Sequence, residues 1–433
     1  VKFQSICVLG LGYIGLPTAS TFATHGLKVT GVDSNPRVVR GLQNGQLHLY
    51  EPGLRTLVQA ALKSGSLTIC DKPVSADAFI IAVPTPFQAG AAEEGYKRAD
   101  MSAVTAATEA IVPHLRPGNL VVLESTSPPR TTLDLVAPIL ERSGLKAGQD
   151  FFLAYSPERV LPGQILRELI ENARVIGGIT PESAEAGRDL YATFVRGQIL
   201  LTDATTAEMV KLMENTFRDV NIALANEFSR LADRFGVDVW EAVDIANLHP
   251  RVQILRPGPG VGGHCISVDP WFLVEAAPDL TPLIRTARQV NDDQPHFVCR
   301  LIARGLGGLR GRRVAVLGAA YKPDVDDLRE SPVFEVVHCL RDSGAEVRVF
   351  EPFKPGFAHN GVEGAASLDE ALADADALVL LVGHTQLKEL VPADVAARTP
   401  ARVAIDCVNG WDAGSWQAAG FTMYKLGVRK EQA

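Results

Sequence analysis

A loop rich in glycine and proline reads Pro257-Gly258-Pro259-Gly260-Val261-Gly262-Gly263-His264-Cys265-Ile266-Ser267-Val268-Asp269-Pro270. Such residues suit close backbone approach to a ligand rather than a packed core, and they lead directly to a cysteine. Most single cysteines are inert buried residues. Cys7, Cys70 and Cys407 lie in or at the ends of apolar runs and fit that role, whereas Cys265 does not. A thiol on such a loop is a candidate nucleophile. His264 is adjacent, but neighbours on a loop often point apart. Asp269, four residues on, is the better candidate for handling a proton or a water.

A second group with chemical potential lies upstream. Lys211, Asn215 and Arg218 recur at i, i+4 and i+7 in a stretch without glycine or proline, so they share one helix face, and Asn221 extends the stripe. The commoner meaning of such a stripe is a solvated face. Here Val210, Met213, Phe217 and Val220 form an apolar face opposite. The helix is therefore expected to rest on a core through those four and to turn the polar stripe towards a cleft. Lys211 and Asn215 can then hold a developing alkoxide by hydrogen bonds, and Lys211 can accept or return a proton.

The third group is Gly10-Leu11-Gly12-Tyr13-Ile14-Gly15, which follows an apolar run and opens a helix. Gly10 permits the tight turn, Gly12 lets the backbone approach a pyrophosphate, and Gly15 lets helix and strand pack closely. The helix N-terminus then offers free N–H groups to phosphate. The pattern alone is weak. It gains weight from Asp33, at the end of the next strand, where a carboxylate binds ribose hydroxyls and repels a 2'-phosphate. NAD is thus favoured over NADP, with Arg37 as the opposing signal, since an arginine can accept that phosphate. Thr85 and Thr126 follow the third and fourth strands, where open parallel sheets bind ligands. The commoner role of threonine there is a cap or turn, but the position favours cofactor contacts.

Together these groups specify a chemistry. One hydride transfer takes an alcohol to an aldehyde and needs no thiol. A second needs an addition to the aldehyde carbon first. A thiolate adds to give a thiohemiacetal, whose oxidation gives a thioester, and water releases a carboxylate. A nicotinamide cofactor with a loop cysteine therefore points to oxidation past the aldehyde.

The elements that must position these groups are legible as repeated strand–helix units. Apolar runs at Ser5 to Leu9, Lys28 to Val32, Ala78 to Val83 and Leu120 to Leu123 alternate with helical stretches, which predicts a parallel sheet with helices on both faces. From about Thr205 to Arg234 one long helix is expected, a candidate dimer surface. A second alternating region has strands at Val314 to Leu317, Glu346 to Phe350, Leu378 to Val382 and Val403 to Ile405. The expected fold is α/β, with two Rossmann-like doubly wound parallel-sheet domains joined by a helical middle segment. The divisions are 1–200 for the cofactor, 201–300 for the helices and the cysteine loop, and 301–433 for the substrate's nucleotide.

Composition narrows the classes. A chain of 433 residues exceeds one ordinary core. Its net charge of -8 makes it a poor nucleic-acid or anionic-membrane binder. The six cysteines form no CxxC pair and no zinc spacing, so no metal is expected, and their scatter suits a reduced, cytoplasmic protein. No secretory signal is legible before Phe3, and apolar runs such as Ala377 to Val382 are too short to span a bilayer.

The glycine turn with Asp33, Ser125-Thr126, Ser156-Pro157-Glu158-Arg159, the Lys211 to Asn215 segment, the cysteine loop and Asp326-Asp327-Leu328-Arg329-Glu330-Ser331 occur in one order. In that combination the chain resembles the UDP-glucose/GDP-mannose dehydrogenase family over essentially its full length. The UDP-glucose branch typically reads Gly-Gly-Ser-Cys-Phe-Pro-Lys-Asp at the loop. This chain has His264 before the cysteine and Ile266-Ser267-Val268 after it. With Asn247-Leu248-His249-Pro250-Arg251-Val252 and the Glu214 to Asn221 stretch, it is more similar to the mannosaminuronate-forming branch.

The resemblance implies NAD as cofactor, a UDP-sugar as substrate and a homodimer. It implies Cys265 as nucleophile and Lys211 as acid/base. Arg159, Val160, Asn215, Arg218, His249, Arg251 and Gly262 would hold the sugar and diphosphate, with Arg251 reaching a partner's site. Tyr321 and Lys322 would reach the substrate, and Arg329 the cofactor. Thr126 and Glu158 would position the water or the oxyanion, and Tyr13 and Ile14 lie in the cofactor turn. One departure is Val408, where relatives commonly carry a basic residue.

Overall fold

The structure is a computed structural model that describes residues 2–88, 96–263 and 265–429, so His264 lies outside the described residues. The chain divides into two compact units. One comprises Val1–Glu214 with Trp271–Leu280, the other Asn215–Pro270 with Thr281–Ala433.

The first unit is built on eight strands: β1 (Ser5–Leu9), β2 (Lys28–Val32), β3 (Leu67–Cys70), β4 (Ala78–Ile81), β5 (Leu120–Leu123), β6 (Phe152–Tyr155), β7 (Arg174–Gly178) and β8 (Ile199–Asp203). Their order is β3-β2-β1-β4-β5-β6-β7-β8. The strand order reverses around β1, which places the carboxyl ends of β1 and β4 at the crevice where ligands bind in doubly wound sheets. Successive side chains feed opposite layers. Ile6 and Val8 enter one core, Cys7 and Leu9 the other, and Ala78 and Ile80 against Phe79 and Ile81 repeat the pattern. A sheet buried on both faces explains why these strands are continuous apolar runs rather than alternating ones.

The parallel expectation holds from β3 through β6 and fails at one step. β7 pairs antiparallel with β6, and β8 follows β7 in parallel. Strands β3 and β6 to β8 lie beyond those expected from the sequence. β3 alternates between buried and more exposed residues, and β8 is an edge strand with Leu200 and Leu201 exposed, so neither of these two reads as a continuous buried run.

The second unit carries β9 (Arg313–Leu317), β10 (Glu346–Phe350), a short hairpin of β11 (Ala358–His359) and β12 (Val362–Glu363), then β13 (Ala377–Leu380), β14 (Val403–Asp406) and β15 (Thr422–Lys425). The five longer strands form one parallel sheet, ordered β10-β9-β13-β14-β15. Val314 and Val316 face one core, Ala315 and Leu317 the other.

Glu351 ends β10 much as Asp33 ends β2. Its buried Oε2 accepts from the amides of Ala319 and Ala320 at 2.7 and 2.9 Å, and Phe353 N donates to Oε1 at 3.0 Å. His384 Nε2 donates to Oε2 at 3.0 Å. The same ring's Nδ1 accepts from Asp324 N at 2.9 Å, and since that amide can only donate, Nε2 must carry the proton. The turn after β9 is thus capped by the protein's own carboxylate. Burial pushes the Glu351 carboxyl up, but the His384 hydrogen bond, with the Ala319 and Phe353 amides, outweighs it and holds the group below the usual 4.5. A depressed value contributes stability above pH 4.5 that is lost as the pH falls through the folded value. Glu351→Gln is therefore expected to cost roughly 2–4 kcal/mol at pH 7. Urea unfolding should show the gap from the parent protein shrinking at pH 3.5. An equal gap at both pH values would contradict this account.

The long helix spans Ala204–Phe235. Its apolar face departs from the expectation. Lys211 and Asn215 are each 8% exposed, whereas Met213 is 58% and Phe217 69% exposed. The four apolar residues do not form a core-facing row: Val210 and Val220 are half-buried, and Arg218 and the other two are exposed. Polar residues won the buried face because they have partners there, as Asp219 does with Arg288 and Asn291. Met213, Phe217, Leu224, Leu231 and Phe235 instead form a row of exposed apolar side chains along the helix.

Candidate active site

In the first unit, Gly10 has φ 93°, and a Cβ there would sit 2.4 Å from the Ala82 carbonyl oxygen. A Cβ on Gly15 would lie 1.9 Å from the Gly10 oxygen, so helix and strand meet through that glycine. A Cβ on Gly12 would meet nothing within 4 Å, leaving its backbone open to a phosphate. Tyr13 and Ile14 are half-buried beside it. Asp33 stands at the edge of this turn. Leu11 N donates to its Oδ2 at 3.0 Å and Asn35 N to its Oδ1 at 2.8 Å. These bonds fix the carboxylate while leaving lone pairs for ribose hydroxyls. Asp33 takes one turn amide where Glu351 takes two. Arg37 is exposed, one helical turn past Asp33. The residues present fit a dinucleotide with an unphosphorylated ribose.

The ends of β4 and β5 are tied together. Thr85 Oγ1 donates to the Thr126 carbonyl at 2.8 Å, and Ser125 Oγ to the Val83 carbonyl at 2.7 Å. Thr85 thus has a structural bond at the position expected for a cofactor contact, and Thr126 is held beside it. Glu158 and Arg159 follow β6 in a loop. Arg159 forms a bidentate pair with Glu214, at 3.1 and 2.5 Å, which holds the guanidinium in place. Val160 packs on the core beside it.

In the second unit, Asp269 is 1% exposed and opens the helix Asp269–Ala276. Its Oδ2 accepts from Asn215 Nδ2 at 2.5 Å, and its amide donates to the Cys265 carbonyl at 2.8 Å. Val268 N donates to the same carbonyl at 3.1 Å. The cysteine sits on a tight turn while its side chain is exposed. By contrast, burial pushes the Cys7 thiol up to about 11 and the Cys407 thiol well above its ordinary range, as inert core residues require. Ser267 Oγ donates to the Gly263 carbonyl at 2.5 Å. The start of the loop is pinned by Gly258 N to Asn226 Oδ1 at 2.9 Å and Gln294 Nε2 to the Gly258 carbonyl at 3.1 Å.

Close packing joins this loop to Tyr321. Gly263 has φ 87°, and a Cβ there would lie 2.8 Å from the Tyr321 ring. A Cβ on Gly262 would lie 2.5 Å from the Glu330 carbonyl. Lys322 is half-buried next to Tyr321. Arg329 is clamped by Asp327, at 2.8 and 2.7 Å. Asn215, Asp269, Cys265, Gly262 and Tyr321 are therefore linked, directly or through the loop. Arg218, His249 and Arg251 are exposed. His249 Nδ1 accepts from Arg251 N at 3.3 Å, which shapes that turn.

Sequence reasoning missed a buried cluster of Glu124, Arg174 and Tyr191 beside Glu158. Arg174 Nη2 lies 3.2 Å from Glu124 Oε1 and 2.7 Å from Glu158 Oε2, and Tyr191 Oη donates to Glu124 Oε1 at 2.5 Å. A carboxylate closing the apolar run Leu120 to Leu123 was the available signal.

Three profiles of the UDP-glucose/GDP-mannose dehydrogenase family match the chain: its NAD binding domain over residues 4–195, its central domain over 205–293 and its UDP binding domain over 315–413. A UDP-N-acetyl-D-mannosamine dehydrogenase from Methanococcus maripaludis is 47% identical, over 98% of this chain and 97% of its own. An NDP-N-acetyl-D-galactosaminuronic acid dehydrogenase from Ralstonia nicotianae is also 47% identical, over 95% of this chain and 97% of its own. The solved UDP-D-ManNAc dehydrogenase from Pyrococcus horikoshii is 40% identical with a TM-score of 0.90, covering 98% of this chain and 99% of that one.

Proposed function

The chain belongs to the UDP-glucose/GDP-mannose dehydrogenase family, and from that premise we infer that it oxidises UDP-N-acetyl-D-mannosamine at C6 to the uronate. Its cofactor is NAD, which when bound accepts the two hydrides that the sugar gives up. The observation that carries the reading is the exposed Cys265 on a turn whose carbonyl is held by Asp269, the residue that also binds Asn215. The names of the mannosamine dehydrogenases among the relatives support the sugar.

Lys211 takes the proton of the C6 hydroxyl, and Asn215 donates to the oxygen as its negative charge grows. The Cys265 thiolate adds to the resulting aldehyde carbon, and the oxyanion takes a proton to give a thiohemiacetal. Oxidation of that adduct gives a thioester. A water held by Glu158 and Thr126 then cleaves it, with Asp269 managing the proton, and frees the thiol and the carboxylate. Sugar, water and two NAD become uronate, two NADH and three protons.

Gly10, Gly12, Tyr13, Ile14, Gly15, Asp33, Arg37, Thr85, Thr126 and Arg329 serve the cofactor. Arg159, Val160, Arg218, His249, Gly262, Tyr321 and Lys322 serve the sugar and diphosphate, by charge where they are basic. The assigned divisions are 1–200, 201–300 and 301–433. The exposed apolar row on the long helix supports a homodimer, with Arg251 supplied to the partner's site. Sedimentation at the mass of one chain would contradict that assembly. No helix among the described residues is long and apolar enough to cross a membrane, and we assign the protein to the cytoplasm.

The substrate is tested by comparing kcat/KM for UDP-N-acetylmannosamine, UDP-N-acetylglucosamine, UDP-N-acetylgalactosamine and UDP-glucose. The first should be preferred by about tenfold or more. A preference for any other would overturn the sugar and leave the thiol chemistry standing.

A further inference from the structure

We propose that Arg174 is a positioning residue that aims the Glu158 carboxylate, and that Glu124 and Tyr191 brace Arg174 for this purpose. The inference rests on the proposed function, in which Glu158 holds the water that cleaves the thioester.

Glu158 lies in the loop between β6 and the helix Ile165–Glu171, so no regular element sets its side chain. Its anchors come from elsewhere. Arg159 N donates to Oε1 at 2.7 Å, and the Arg174 guanidinium donates to Oε2 at 2.7 Å through Nη2. The Arg159 amide on one oxygen and the Arg174 guanidinium on the other fix the plane of the carboxylate, and Oε1 keeps a lone pair for a water.

Arg174 opens β7, the strand that breaks the parallel run, and its guanidinium is enclosed. It lies over the Tyr191 ring at 4.1 Å from the centroid, and Glu124 Oε1 is 3.2 Å from the same Nη2 that bonds Glu158. Tyr191 in turn donates to that same Glu124 oxygen. The cluster has a closed end and an open end, since the Glu124 side chain is 0% exposed and that of Glu158 is 9%. Burying an arginine with two carboxylates is a costly way to gain stability, because well-packed apolar residues of the same volume do as well or better. What such a cluster supplies is orientation of the member that reaches the open end. Burial first, and the nearby Glu158 charge next, raise the Glu124 carboxyl to about 7 against the pull of Arg174, so Glu158 is left as the firmer counter-charge of the guanidinium.

The test uses the full chain with NAD and UDP-N-acetyl-D-mannosamine, and compares Arg174→Lys, Tyr191→Phe and Glu158→Gln. Lysine keeps the charge and loses the planar fork. Arg174→Lys is expected to lower kcat by about 10–100-fold, with both KM values within about threefold, because misplacement of a reacting group acts on the chemical step. Acid-quenched enzyme should carry the sugar acyl group on Cys265, seen by intact mass, because hydrolysis has become slow. Tyr191→Phe removes one hydroxyl and should show the same acyl-enzyme at a smaller loss of kcat, which keeps the test open if the lysine variant fails to fold. Glu158→Gln impaired, with neither other variant accumulating acyl-enzyme, would overturn the positioning role alone. Fully active Glu158→Gln would overturn the role assigned to Glu158, and this inference with it.

Discussion

Replacing Cys265 with alanine is expected to lower carboxylate formation by about 10³-fold or more, since the thiol forms the covalent intermediate itself. Binding of NAD and of the UDP-sugar should survive. The reason lies in the local structure: the Cys265 carbonyl is held by the Val268 and Asp269 amides, and Ser267 closes the turn on the Gly263 carbonyl, bonds that alanine keeps. The side chain is exposed, so its removal leaves no core cavity. Equilibrium dialysis for both ligands, beside mass analysis of the sugar product, separates the outcomes. Loss of product with binding intact is the expected result. Uronate formed at the parental rate by the alanine variant would remove the thiol from the mechanism.

Lys211→Met should lower kcat by about 10²–10⁴-fold, the range for losing a general acid/base that also faces the oxyanion. Methionine keeps most of the stem's apolar contacts. Lys211 is 8% exposed, so the substitution also removes a polar amine from a largely buried place, and the melting temperature should hold or rise. This pairing of lost rate with retained stability distinguishes a chemical role from a structural one. Asn215, one turn along the same helix and bonded to Asp269, should keep the sugar oxygen's other donor in place, so KM should change little. A kcat within threefold of the parent would show that the proton goes elsewhere.

The parts of the fold that were legible share a physical cause. β1, β4, β5 and β9 send apolar side chains into cores on both faces, so they stand out as unbroken runs, and Gly10 and Gly15 mark places where a Cβ has no room. The long helix was legible from its spacing, but not which way it faces. Met213 and Phe217 promise a core in any one-dimensional reading, yet they are exposed, while Lys211 and Asn215 are buried. Burial of polar groups is decided by partners distant in sequence, such as Asp269 for Asn215. The same holds for Arg174, whose carboxylates at Glu124 and Glu158 are 50 and 16 residues away. The antiparallel step at β7 is equally hidden, because strand direction depends on how the intervening loop returns and not on the strand's own residues.

The claim that a single protein carries a sugar alcohol through to the acid is tested most directly by stoichiometry. With limiting UDP-N-acetyl-D-mannosamine and excess NAD, two NADH should form per sugar, and the product should be the uronate. One NADH per sugar, with an aldehyde as product, would contradict the role of Cys265 as the nucleophile that carries the aldehyde to the acid.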